Sequence, residues 1–165
     1  MKDLKITRVF DAPKELVFKA WTDPELAKKW WGPEHFTSPE IKIDLRVGGK
    51  YLLCMRGKPG PDMPETDFWS TGTYKEIIPN EKIVVLDSFS DKDGNVVPPT
   101  EYGMPETFPI ESEIIITFKS LDDDKTEMTL YYPSIEGIEG EMLKNMTLGW
   151  NQSFDKLSAA VKEGK

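Results

Sequence analysis

The chain has 165 residues, which suits one domain with a sizeable core, so we expect a single domain over residues 1–165. Hydrophobic residues make up 38% and charged residues 30%, which excludes a disordered chain, and no apolar run approaches the ~20 residues that span a bilayer. The formal net charge of −8, without a basic run, argues against a nucleic-acid partner and against membrane insertion or docking. The N-terminus shows no apolar signal segment, and Cys54 is the only cysteine. We therefore expect a cytoplasmic protein without disulfides.

The first elements are a strand and two short helices. Residues 4–10 alternate imperfectly between apolar and polar and predict a strand. Pro13 and Pro24 each indicate a helix start, because proline is tolerated at the first helical position. We expect the second helix to end near Trp30 and Trp31, where a Gly-Pro pair follows, with one tryptophan packed inward and the other near the surface.

A run of strands occupies the middle of the chain. Period-two alternation and β-branched residues predict strands over residues 41–47, 51–55, 68–78, 83–89, 111–119 and 126–132. Residues 57–67 are rich in proline, glycine and charge and predict a mobile loop. Residues 91–108 form a longer loop without an apolar period, and connections of this length usually have a function.

A long helix is predicted over residues 139–162, which contain no proline. Its apolar residues recur every three or four positions and form one stripe, made of Met142, Met146, Trp150, Phe154, Leu157 and Val161. Such a helix can bury its stripe only by lying across the concave face of a curved sheet. The elements therefore predict an α+β domain with a curved antiparallel sheet of about six to seven strands wrapped around the C-terminal helix.

Several motifs resemble one known family, the activator-of-heat-shock-protein-ATPase (Aha-type) homologues of the START-like (SRPBCC, birch-pollen-allergen-like) superfamily. They are Arg8-Val9-Phe10-Asp11-Ala12-Pro13, Ala20-Trp21-Thr22-Asp23-Pro24, Trp30-Trp31-Gly32-Pro33, Asp44-Leu45-Arg46, Gly72-Thr73-Tyr74 and Gly149-Trp150. The resemblance implies a helix-grip fold with a deep, mostly apolar cavity between the sheet and the C-terminal helix. Members of the wider superfamily bind lipids, sterols or polyketides, and some are cyclases or hydrolases. This chain departs from the family in its long Pro-rich insertion at 91–108 and in Pro109.

The resemblance and the helix stripe together predict a small hydrophobic or amphipathic ligand (lipid, sterol-like or polyketide-like) held in that cavity, with no cofactor. Flexible methionines and rigid aromatic rings suit varied apolar shapes. The loop at 91–108 is expected to act as a lid. The alternative is that the same stripe simply fills the core. The expected walls are Trp21, Trp31, Phe36, Tyr51, Met55, Trp69, Tyr74, Leu86, Phe89, Met142, Met146 and Trp150.

The polar candidates are few. Arg46, two residues after Asp44 on one strand face, and Glu76 are candidate anchors for a ligand headgroup, with a solvated ion pair or a turn-stabilising role as the plainer interpretations. His35 is the only histidine and has no nucleophile motif near it, so no catalytic residue and no metal site are assigned. Two other functions stay open. One is a co-chaperone-like protein that docks on a heat-shock chaperone. The other is a cyclase- or hydrolase-type enzyme that uses Glu76, Arg46, Tyr74 or His35.

Overall fold

The computed structural model describes residues 2–164 as seven strands, three α-helices and one 3-10 turn. The strands are β1 (Leu4–Phe10), β2 (Ile41–Ile43), β3 (Lys50–Gly57), β4 (Thr66–Ile78), β5 (Lys82–Ser90), β6 (Ser112–Asp122) and β7 (Lys125–Tyr132). The helices are α1 (Lys14–Thr22), α2 (Pro24–Ala27) and α3 (Gly140–Glu163), and the 3-10 turn spans Pro99–Tyr102. Within residues 2–164, none of the three helices combines the length and the hydropathy of a membrane span.

All seven strands belong to one antiparallel sheet in the order β1-β7-β6-β5-β4-β3-β2. Strands β2 to β7 follow one another as neighbours, and β1 pairs beside β7. The open, curved sheet packs one face against the helices, and Phe10, Phe118, Leu130, Phe154 and Leu157 are fully buried in the core between these layers. The α+β helix-grip prediction is confirmed, including the two short helices after the first strand.

The second helix is shorter than its sequence pattern indicates. Asp23 caps it by accepting a hydrogen bond from the backbone N–H of Glu25 at 2.9 Å, but the helix ends at Ala27 and continues as turns. Trp30 follows as the buried member of the tryptophan pair, and its Nε1 donates to the carbonyl of Ala20 at 2.9 Å. Trp31 is only half-buried, as expected for the second tryptophan.

The predicted strand over residues 41–47 is wrong beyond Ile43. Residues 44–49 form a turn in which the N–H of Gly49 donates to the carbonyl of Arg46 at 2.8 Å. Leu45 and Val47 are exposed because this turn leaves the sheet before their side chains can reach the core. Period-two alternation alone therefore predicted too long a strand, because the hydrogen bonds of the turn replace the pairing of β2 with β3 after Ile43.

The predicted mobile loop at 57–67 is shorter than expected, because β3 continues to Gly57 and β4 begins at Thr66. Arg56 on β3 pairs with Asp67 on β4 at 2.7 Å, which joins these strand ends beside the loop.

The connection over residues 91–108 is anchored to the sheet. Tyr102 packs its ring 5.4 Å from Phe68 and 5.3 Å from Phe89, measured between ring centroids. Its hydroxyl donates to the carbonyl of Ser90 and accepts from the N–H of Trp69 at 3.2 Å. The loop is thus held over one part of the sheet, next to the first half of α3.

Candidate ligand-binding cavity

Two adjoining cavities lie between the sheet and the helices. The larger has a volume of about 400 Å³ and lies among α3, the end of β5 and residues 104–112. The smaller has a volume of about 60 Å³ and lies among the sheet, α1, α2 and α3. Most of the lining side chains are apolar or aromatic, which is usual for small-molecule sites.

The structure places ten of the twelve wall residues suggested by the sequence at these two cavities. Those at the smaller cavity are Trp21, Tyr51 and Tyr74. Those at the larger cavity are Met55, Trp69, Phe89, Met142 and Met146, and Trp31 and Trp150 line both.

Phe36 and Leu86 lie elsewhere. The Phe36 ring packs over Gly57, where a Cβ would lie only 2.7 Å from the ring, and its centroid is 6.1 Å from that of Phe68. Leu86 precedes Asp87 on β5, and alternation turns its side chain to the opposite face of the sheet. The sequence pattern could not tell which face of β5 is the inner one.

The polar candidates from the sequence are also outside the cavities. Arg46 pairs with Asp44 at 2.9 Å in the exposed turn, and Glu76 pairs with Lys82 at 3.1 Å on the surface. The structure therefore brings neither anchor candidate to the walls of the two cavities. His35 is 88% exposed in a loop and approaches only Glu34 among its possible charge partners.

Cys54 is buried, and this burial raises the pKa of its thiol to about 11, so the thiol stays protonated. Across residues 2–164, no group of three His, Cys, Asp or Glu side chains is arranged to hold a metal ion.

Asp87 is the acidic residue at the cavities that the sequence analysis missed. Its side chain lines both cavities, and burial raises the pKa of the carboxyl group to about 7. None of the ion pairs in the described chain involves Asp87. No signal in the sequence distinguished it, because Ile83, Val84 and Val85 are all apolar and all buried. Period-two alternation therefore did not show on which face of β5 Asp87 lies.

A hydrogen bond from Tyr51 holds the Asp87 carboxyl group. The Tyr51 hydroxyl donates to Oδ2 of Asp87, although the two residues lie on strands separated by β4. Gly72 on β4 pairs with both of them, and a Cβ on Gly72 would lie 2.3 Å from the Tyr51 ring. Because Gly72 has no side chain, the Tyr51 ring can lie across β4 and its hydroxyl can reach Asp87.

Three tryptophans surround the region where the cavities meet. The ring centroids of Trp31 and Trp150 are 5.6 Å apart and nearly perpendicular, and Trp21 lies 6.0 Å from Trp31. Trp150 is oriented by its Nε1, which donates to the hydroxyl of Tyr132 at 3.1 Å. Burial, together with the nearby Asp87, raises the pKa of Tyr132 above its usual range, so the hydroxyl stays neutral.

Solved structures of bacterial proteins share this architecture. A protein from Nitrosomonas europaea is 20% identical, with a TM-score of 0.73 over 98% of this chain and 95% of that one. A protein from Chromobacterium violaceum is 26% identical, with a TM-score of 0.71 over 96% of each chain. The AHSA1 protein from Silicibacter pomeroyi is 20% identical, with a TM-score of 0.72 over 99% of this chain and 100% of that one.

Comparison with curated proteins gave no match. The family model for "Activator of Hsp90 ATPase homolog 1-like protein" matches residues 11–162, which include every helix and strand except β1 and the last residue of α3. The expected Aha-type resemblance is thereby confirmed, and the chain belongs to the family of Activator of Hsp90 ATPase homolog 1-like proteins.

Proposed function

We propose that this protein binds a small hydrophobic or amphipathic molecule, of lipid, sterol-like or polyketide-like character, in the larger cavity. The observation that carries the proposal is the volume of about 400 Å³ left open between the sheet and α3. Cavities of ~300–1,000 Å³ with apolar walls are typical of small-molecule sites. Transfer of apolar ligand surface out of water supplies the driving force, about 25 cal/mol per Å² before ordering costs.

The apolar stripe of α3 supports this interpretation over a filled core. Phe154 and Leu157, in the second half of the helix, are fully buried. Met142 and Met146, in the first half, are only half-buried and line the larger cavity. A stripe that meets the core at one end and an open space at the other leaves apolar surface for a ligand to cover.

The connection before β6 supports a lid role. Met104 and Phe108 from this connection line the larger cavity, and the Phe108 ring centroid lies 5.8 Å from that of Phe89. Gly137, in the loop before α3, allows that loop to pack closely against this connection. A Cβ at Gly137 would lie 1.8 Å from the carbonyl oxygen of Thr107. Residues 104–108 therefore cover part of the larger cavity, and we propose that they act as its lid.

The first experiment titrates the protein with the neutral fluorophore N-phenyl-1-naphthylamine and compares Met146→Trp with Leu148→Trp. Met146 lines the larger cavity, whereas Leu148 on the same helix is exposed. We expect saturable binding by the unmodified protein and by Leu148→Trp. We expect at least tenfold weaker binding by Met146→Trp, because the indole occupies ligand space.

Thermal unfolding of the three proteins is the folding control for this experiment. The proposal is overturned if the unmodified protein shows no saturable binding. It is also overturned if folded Met146→Trp binds the fluorophore as tightly as Leu148→Trp does.

Docking on a chaperone is the alternative that the family description suggests. Such docking needs a continuous exposed apolar or charged patch. The large exposed apolar side chains are spread over strands, turns and α3, with only Leu45 and Val47 sharing a turn. Recovery of a heat-shock chaperone in a pull-down, with a changed ATPase rate, would favour this alternative over ligand binding.

A further inference from the structure

The two cavities share three lining residues, Trp31, Asp87 and Trp150. We call this set the junction. It combines the one carboxyl group that lines the cavities with two aromatic rings. A ligand body in the larger cavity would place its end at the junction, because this is where that cavity meets the smaller one.

One oxygen of Asp87 remains open to a ligand. Tyr51 donates to Oδ2, while Oδ1 accepts no hydrogen bond from the part of the chain that the structure describes. Oδ1 is also not fully buried. Among those residues, every fully buried side-chain oxygen or nitrogen has a hydrogen-bond partner, and Oδ1 has none. The free oxygen is therefore accessible from the cavity space that Asp87 lines.

The surroundings of Asp87 supply no positive charge. The titratable groups facing it are the hydroxyls of Tyr51 on β3 and Tyr132 on β7, with Tyr74 of β4 beyond Tyr51. Within residues 2–164, no lysine, arginine or histidine forms an ion pair with it. An ionised carboxylate in an apolar site without a charge partner is costly, and a cation that binds beside it would offset part of that cost.

The aromatic part of the junction also favours a cation. The rings of Trp31 and Trp150 stand nearly perpendicular at 5.6 Å, and Trp21 lies 6.2 Å from Trp150. Indole faces attract ammonium groups, and tryptophan is the strongest of the aromatic residues in this respect. The shared lining of the two cavities thus combines a carboxyl group with two indole rings, and both kinds of group attract an organic cation.

We propose that the junction binds the protonated nitrogen of an amphipathic organic amine whose apolar body occupies the larger cavity. This inference rests on the proposed function and specifies its ligand class. The ammonium group donates a hydrogen bond to Oδ1 of Asp87 and contacts the indole faces of Trp31 and Trp150. An anionic headgroup would meet the like charge of Asp87, and a neutral one would leave the carboxylate without a charge partner.

The test uses three probes with the same naphthalene body and different ends. They are 2-(2-naphthyl)ethylamine, 2-(2-naphthyl)ethanol and 2-naphthylacetate, measured by isothermal titration calorimetry at pH 8. Asp87 is mostly ionised at this pH, because its pKa is about 7. We expect the amine to bind at least tenfold more tightly than the alcohol, and the carboxylate to bind most weakly.

Asp87→Asn is the decisive variant, and Glu113→Gln is its matched control. Asn keeps the shape of Asp87 and an oxygen to accept from Tyr51, but it removes the charge. Glu113 on β6 is exposed, pairs with Leu86 and lines neither cavity, so Glu113→Gln removes one negative charge away from the junction. We expect the ratio of amine to alcohol affinity to fall to about one in Asp87→Asn and to stay unchanged in Glu113→Gln.

A second measurement does not depend on whether a variant folds. It compares the ratio of amine to alcohol affinity of the unmodified protein at pH 6 and at pH 8, and we expect this ratio to be higher at pH 8. Equal binding of amine and alcohol at pH 8 would overturn the amine assignment and leave the proposed function in place. So would tightest binding of the carboxylate, or an unchanged ratio in folded Asp87→Asn. Failure of all three probes to bind would overturn the proposed function itself.

Discussion

Asp87, Tyr51 and Gly72 form one structural unit across three neighbouring strands. Gly72 leaves room for the Tyr51 ring, and the Tyr51 hydroxyl in turn holds Oδ2 of Asp87. The carboxyl group thus keeps a defined position inside an apolar interior. Two measurable consequences follow at this scale, one for the pH dependence of stability and one for the packing of Gly72.

Asp87 makes the protein less stable as pH rises. Its pKa is raised from 3.8 to about 7, so between these values the unfolded chain loses a proton that the folded protein keeps. This difference favours unfolding by at most about 4 kcal/mol once the pH exceeds 7. We expect Asp87→Asn to become progressively more stable than the unmodified protein from pH 4 to pH 8, measured by urea unfolding. A stability difference that does not change with pH would contradict this prediction.

Gly72→Ala should separate Tyr51 from Asp87. The added Cβ would lie 2.3 Å from the Tyr51 ring, so the ring or the strand must move. We expect a loss of about 1–3 kcal/mol in the free energy of unfolding, as for other overpacked sites. Gly149→Ala on α3 is the control, because its Cβ would meet only Pro33, at 3.4 Å, and alanine favours a helix. Equal effects of the two substitutions would show that Tyr51 is not held against Gly72.

At the scale of elements, α3 has two different halves. Its apolar stripe is continuous in sequence, but the residues from Phe154 onward are buried in the core while Met142 and Met146 face the larger cavity. The buried residues of the helix, Ser153, Phe154, Leu157, Ala160 and Val161, all lie in its second half. The buried half and the cavity-facing half can therefore be distinguished by how much a shortened side chain in each lowers the free energy of unfolding.

Leu157→Ala should destabilise the protein far more than Met146→Ala. Leu157 is fully buried, and the loss of such a side chain costs about 2–5 kcal/mol. Met146 borders open space, so its removal enlarges a cavity that already exists and costs about 1 kcal/mol or less. Urea unfolding of both variants measures the difference. Equal losses would mean that the first half of α3 packs like core, against the cavity assignment.

At the scale of the whole molecule, the sheet and α3 enclose more volume than their own side chains fill. The adjoining connections supply the remaining wall through Met104 and Phe108. A molecule that fills this space binds the folded protein and not the unfolded chain, so it must raise stability by mass action.

A ligand of the larger cavity should raise the melting temperature with concentration. At a free concentration one hundred times the dissociation constant, the gain is about 2.7 kcal/mol, or about 5–10 °C for a domain of this size. N-phenyl-1-naphthylamine provides the measurement, with Met146→Trp as the comparison. A melting temperature that is unaffected by a fluorophore bound at saturation would show that the fluorophore does not bind the folded cavity.

The amino-acid sequence by itself determined the elements and their approximate order. Period-two alternation and turn residues located most strands, and the 3.6-residue stripe located α3, because these signals depend only on neighbouring residues. Its motifs also indicated the family, and ten of twelve suggested wall residues line the cavities.

Only the tertiary structure decided how the inner face is used. It turned Leu86 outward, left Arg46 and Glu76 on the surface and brought Asp87 to the place where the cavities meet. The physical reason is that a cavity is the space remaining between packed elements. Its position depends on strand register and on the approach of helix to sheet, neither of which is a property of any local stretch of sequence.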